Sequence, residues 1–247
     1  MMSDVVDLRL EPPVATIRLI GEIIDAQMVD GVSRALDAAE AEGAHVAVLE
    51  GSAAVFCLGA DVCAPAAGGR APADPDALYG LWLRLSRGPF VSVAHARGRV
   101  NAGGVGFVAA CDIAIADAGA EFSLSELLFG LQPACVAPFL IRRVGAQRAH
   151  FLTLSTLPIT AAQALAFGLV DMAEDDSAAP LRRLLTRLRR LSRAGVVRYK
   201  SYRATLDSLP ETARAGAVAA NREMFGDPAI VSALDRFART GMFPWED

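Results

Sequence analysis

The apolar positions of the chain change period about halfway along it. In the first half, short β-branched runs recur between amphipathic stretches. Residues 14–20 (Val-Ala-Thr-Ile-Arg-Leu-Ile) predict a strand. Residues 27–41 carry Met28, Val32, Leu36 and Ala39 at helical spacing, and Gly43 is placed to stop that helix. Residues 45–49, 90–94 and 112–116 are nearly continuous apolar runs, the pattern of strands covered on both faces. Helical patterns fall at 76–87 and 103–111. Strands alternating with helices imply βαβ units, an α/β fold and a largely parallel sheet.

Beyond residue 134 the period is helical. The predicted helices are 136–144, 146–154, 161–167, 179–193, 196–207, 211–225 and 228–240, with Thr160 and Asp227 as caps. The Arg-rich stretch 182–193 reads as the solvent face of an amphipathic helix. Residues 63–75, rich in Ala, Gly and Pro, predict a loop that serves either as a lid or as a plain surface connection. We divide the chain into a core, 1–190, and a helical C-terminal region, 191–247.

Composition narrows the class. With 247 residues, 53% of them hydrophobic, the chain can bury a sizeable core. Its net charge is −4, and the one basic stretch is the helix face just described, which argues against a nucleic-acid partner. No apolar run approaches the roughly 18 residues of a membrane span, and no basic-then-apolar leader opens the sequence. The expectation is a cytoplasmic protein. Cys57, Cys63, Cys111 and Cys135 include no CxxC pair, so neither a zinc site nor any other metal or cofactor is predicted. Cys135 precedes a predicted helix, where a stabilised thiolate or simple packing would each fit.

Two glycine segments carry candidate chemistry. Gly59-Ala60-Asp61 follows a strand, and a glycine there lets the next amide point into a cleft. Gly103-Gly104-Val105-Gly106 opens an apolar helix, where backbone N–H groups are unpaired and the dipole is positive. Two such amides can form an oxyanion hole. Taken singly, each segment also fits phosphate binding or close packing, although neither GxGxxG nor GxxxxGK[ST] occurs.

In order and spacing these segments, with Cys111-Asp112-Ile113, Glu121–Glu126 and 161–170, resemble the crotonase (enoyl-CoA hydratase/isomerase) superfamily. The resemblance implies a ββα spiral core, a helical C-terminal trimerisation region, and a homotrimer or hexamer. It implies oxyanion amides at Ala60 and Gly103, with Glu126 as the catalytic acid/base. Asp61, Asn101 and Gly104 are further candidates for substrate contact. Asp61 equally fits a role within its own loop, and Asn101 one in orienting the glycine turn.

The chain departs from the family's hydratases at one place. They carry two glutamates, and the position of the first is Gly106 here. The segments 100–107, 122–131 and 133–143 resemble dehydratases of polyketide β-branching cassettes. That implies loss of water from a 3-hydroxy-3-methylglutaryl group on an acyl carrier protein, giving a 3-methylglutaconyl thioester. Hydration, isomerisation or decarboxylation of CoA thioesters, and an inactive scaffold, are the alternatives.

Overall fold

The computed structural model describes residues 5–61 and 72–246. Strands β1 (Val6–Glu11) and β2 (Val14–Leu19) form a hairpin that leads into α1 (Ala26–Ala41). Three repeats follow. The first is β3 (Val46–Glu50), β4 (Val55–Cys57) and α2 (Pro75–Arg87). The second is β5 (Val91–Ala96), β6 (Arg99–Asn101) and α3 (Gly103–Ala110). The third is β7 (Ile113–Asp117), β8 (Glu121–Ser123) and a single 3-10 turn, Glu126–Phe129. Then come α4 (Ala137–Val144), α5 (Ala146–Ser155), β9 (Ile159–Thr160), α6 (Ala161–Phe167) and β10 (Met172–Glu174), and finally α7 (Ala178–Leu188), α8 (Arg193–Leu206), α9 (Leu209–Gly226) and α10 (Pro228–Thr240).

The strands build two sheets where the apolar runs predicted one. A six-stranded sheet has the order β1-β2-β3-β5-β7-β10, and a four-stranded sheet the order β4-β6-β8-β9. Each of β3, β5 and β7 feeds a short strand of the second sheet, so the chain winds as a spiral of ββα turns. Neighbours from β2 to β10 are parallel, as expected. The margins are antiparallel: β1 against β2, and β9 against β8.

Helix α3 lies inside this spiral, with every residue from Gly104 to Ala110 buried. A helix apolar all round belongs in a core, but its last carbonyls then need donors. Arg142 and Arg143 supply them. Arg142 donates to Ala109 O and Ala110 O at 2.8 and 3.2 Å, and Arg143 to Cys111 O and Asp112 O at 3.3 and 3.1 Å.

The C-terminal helices clamp α2. Tyr79 donates to Pro210 O at 2.6 Å, and ion pairs join Asp76 to Arg214 and Asp74 to Arg222 at 2.9 Å each. The basic stretch is not one helix: α7 stops at Leu188, and the Ser192 side chain starts α8 by accepting from Gly195 N at 3.1 Å. A local cap thus overrides the amphipathic pattern. The predicted loop at 63–75 lies mostly outside the described residues. Among the described residues, no helix is long and apolar enough to cross a membrane.

Candidate active site

The two glycine segments meet because the first and second turns of the spiral are stacked. Residues 57–61 leave β4 and are held by Leu58 N on Glu22 O (2.8 Å) and Ile24 N on Gly59 O (2.9 Å). Gly59 has φ +86°, a conformation that side chains rarely adopt, and it turns the chain so that Ala60 follows beside α3. A Cβ on Gly59 would lie 3.0 Å from the Gly103 nitrogen. The Ala60 and Gly103 amides therefore belong to adjoining backbone segments. Gly103 and Gly104 occupy the first helical turn, where an N–H has no carbonyl of its own helix to bond.

Two features fix this helix start. Ala102 has φ +49° and ψ −117°, a strained conformation for a residue with a side chain, and its N–H donates to Ser123 O at 2.9 Å. Gly104 is packed against backbone: a Cβ there would lie 2.2 Å from the Cys57 carbonyl oxygen. Gly104 thus packs closely between the two turns.

Glu126 opens the 3-10 turn after β8. The residue is half-buried, but its Oε2 is fully buried and has no hydrogen-bond partner among the described residues. Burial pushes its carboxyl up to about 7, opposed only by a hydrogen bond to its own backbone N–H. The turn is anchored from behind. Phe129 packs against Phe237 and Phe243 at 4.9 and 5.3 Å between centroids, and Leu131 joins Met224 and Leu234 in a small apolar cluster.

Asn101 ties the three segments together. Its Nδ2 donates to Leu58 O at 3.3 Å and to Ser125 Oγ at 3.0 Å, and its Oδ1 accepts from Ser123 Oγ at 2.8 Å. These bonds link the Ala60 loop, β6 and the Glu126 turn. Asp61 is exposed at the edge of the described chain. Trp82, which nothing in the glycine motifs signals, covers Gly106: a Cβ on Gly106 would lie 2.6 Å from two atoms of its ring.

Other groups of chemical interest lie elsewhere. Burial raises the Cys57 and Cys111 thiols to about 12 and the Cys135 thiol to about 11, so none is a ready thiolate. His95 Nε2 lies 2.7 Å from Ser177 Oγ, with Glu50 Oε2 3.6 Å from its Nδ1. Ser177 is only 2% exposed, so this trio joins α7 to the sheet and offers no path for a substrate. A cavity of about 760 Å³ opens beside α8, lined in part by Arg142, Arg143 and Lys200. Those cations are already committed, to the end of α3, to Asp171 and to Asp112 respectively. Among the described residues, no group of three or more His, Cys, Asp or Glu is disposed to hold a metal ion.

The two-sheet spiral with its buried glycine helix is that of the crotonase superfamily. Residues 19–247 match the enoyl-CoA hydratase/isomerase family, and the chain belongs to it. Within that family it is 47% identical over 228 residues to the bacillaene synthase dehydratase PksH of Bacillus subtilis (strain 168), which covers 91% of this chain and 88% of that protein. The crystal structure of a B. subtilis polyketide biosynthesis enoyl-CoA hydratase (pksH) superposes with a TM-score of 0.92 at 43% identity, over 97% of this chain and 98% of that one. An enoyl-CoA hydratase from Mycobacterium avium superposes with a TM-score of 0.81 at 25% identity, over 96% of each chain.

Proposed function

We propose that this chain is a hydro-lyase of polyketide β-branching. It removes water from a 3-hydroxy-3-methylglutaryl group on an acyl carrier protein and leaves a 3-methylglutaconyl thioester. The observation that carries the reading is a buried carboxyl oxygen, Glu126 Oε2, without a hydrogen-bond partner among the described residues, in a site where a side chain at position 106 would meet the Trp82 ring. The likeness to a dehydratase over nine-tenths of the chain supports it.

The chemistry follows from these groups. The Ala60 and Gly103 amides receive the thioester carbonyl oxygen and stabilise the charge that develops there. Glu126 as carboxylate takes the C2 proton. The enolate then expels the C3 oxygen, and the protonated Glu126 returns its proton to the leaving hydroxide, so that one water departs and the enzyme is unchanged. A carboxyl pushed up to about 7 serves both steps near neutral pH. The tertiary C3 centre eases departure of the oxygen. Residues 1–190 carry this machinery, and residues 191–247 form a helical region that assembles the chain into a homotrimer or a pair of trimers.

The test is the purified protein with the carrier-bound substrate, followed by mass spectrometry. Loss of one water is expected, and no loss overturns the reading. Hydration of crotonyl-CoA at the rate of a two-glutamate enzyme would favour a general hydratase. Loss of carbon dioxide would favour a decarboxylase. An unchanged rate for Glu126→Gln would remove Glu126 from the mechanism.

A further inference from the structure

One indole approaches two of the three glycines of α3. The Cβ position of Gly106 is 2.6 Å from Trp82 Cζ2 and Cη2 and 3.1 Å from Cε2, and that of Gly103 is 3.9 Å from Cζ2. Trp82 is 1% exposed. Its aromatic neighbours Phe107 and Phe139 meet it edge to face, at 5.9 and 5.7 Å between centroids, and offer no hydrogen-bond acceptor. Its Nε1, bonded to Cε2, has no partner among the described residues. A buried indole N–H normally finds an acceptor, and one that does not calls for an explanation.

The spacing along α3 suggests what the acceptor is. Gly106 lies three residues beyond Gly103, about 4.5 Å along the helix axis. In a 3-hydroxyacyl thioester, the carbonyl oxygen and the 3-oxygen sit on carbons separated by one methylene, a comparable span. With the carbonyl oxygen on the Ala60 and Gly103 amides, the 3-oxygen falls toward position 106, where the nearest indole atoms are Cη2, Cζ2 and Cε2, the last of them bonded to Nε1.

We infer that Trp82 donates its indole N–H to the 3-oxygen of the substrate, recognising the hydroxyl group and stabilising it as it leaves. This assignment rests on the dehydratase reading. No proton is transferred from the indole: the C2 proton still passes through Glu126 to the departing oxygen, and the N–H bond stays intact throughout.

The test separates this contact from turnover. In a Glu126→Gln background, binding is measured for two thioesters on the same carrier protein, 3-hydroxy-3-methylglutaryl and 3-methylglutaryl, which differ only in the hydroxyl. With Trp82 present, the hydroxylated form binds about fivefold tighter. With Trp82→Phe, which keeps an aromatic wall and deletes the donor, the ratio falls close to one. Gly106→Ala, whose methyl displaces the ring, lowers the ratio in the same way and serves if the Phe variant does not fold. Equal binding of both thioesters in the Trp82 protein, or an unchanged ratio in the Phe variant, overturns the assignment. Whether the native protein releases water is scored separately. A hydroxyl preference that depends on Trp82 without water release would defeat the dehydratase reading and leave the contact standing.

Discussion

Asn101 donates through Nδ2 to Ser125 Oγ at 3.0 Å, one residue before Glu126, while the same nitrogen reaches Leu58 O, two residues before Ala60. One side chain thereby spans the Glu126 turn and the Ala60 loop. Asn101→Ala is expected to lower kcat by about tenfold, the loss of one or two neutral hydrogen bonds, with little change in KM. Asn101→Asp should also raise the apparent pKa of Glu126, because it places a second negative charge near that turn. A pH profile of kcat/KM distinguishes this from simple unfolding, which would leave the profile in place.

The profile of the native enzyme is itself a prediction. Burial holds the Glu126 carboxyl at about 7, and in the proposed mechanism its base form removes the C2 proton. Activity should therefore rise with pH through about 7 rather than through the ordinary carboxylate range near 4.5. Glu126→Gln should abolish that limb and lower the rate by about 10²–10⁴-fold.

The same burial has a stability consequence. Because the folded carboxyl titrates higher than the unfolded one, it binds its proton more tightly in the fold. Its contribution is fully present below about 4.5 and is lost as pH rises through about 7. At pH about 8, Glu126→Gln should stabilise the protein by on the order of 2–3 kcal/mol. A melting curve of the variant that is no higher than that of the native enzyme at that pH would contradict it.

Glu50 has the opposite sign. His95 and Arg18 beside it outweigh burial and, with Arg97, lower its carboxyl to about 2. The His95 contact, at 3.6 Å, is longer than a hydrogen bond, whereas Arg18 donates at 2.9 and 3.1 Å. Arg18 is the firmer partner on geometry. A depressed acid contributes stability above its unfolded value, near 4.5, and loses it as pH falls toward about 2. Glu50→Gln should cost on the order of 2 kcal/mol at neutral pH and flatten the acid limb of a stability curve measured in urea between those values.

Ala102 stores strain at φ +49° directly before the Gly103 amide. Ala102→Gly should raise stability by up to about 1 kcal/mol, since the strain exceeds the entropy a glycine adds. It should also lower kcat, because the helix start is then free to swing. Parallel melting and rate measurements check both signs.

The parts of this site that were legible in the sequence are those whose chemistry demands a residue type. Gly59, with its positive φ, and Gly104, seated against a carbonyl, leave no other choice, so their spacing announced the two loops. The long apolar strands β3, β5 and β7 were legible for the same reason. Strands β4, β6 and β8 have three residues each, too few to show a period of two, so the second sheet was legible only through the family resemblance and its ββα spiral. Trp82 reads as one more apolar position of an amphipathic helix. Its importance lies in a contact with Gly106, 24 positions along the chain, which no local pattern encodes. Asn101 looked like a candidate for substrate or for its own turn. Its partners at Leu58 and Ser125 come together only when the spiral closes.

The seat of Gly104 on the Cys57 carbonyl also bears on how such an enzyme can diversify. A contact of main chain on main chain offers selection nothing to adjust by degrees, so the geometry proposed to receive the carbonyl oxygen is inherited whole. Variation must enter through the walls, where a tryptophan facing a glycine can be exchanged, as a pair, for a smaller residue facing a larger one. New substrates on this scaffold should arise by compensated replacements between α2 and α3, with the two glycine loops left as they are.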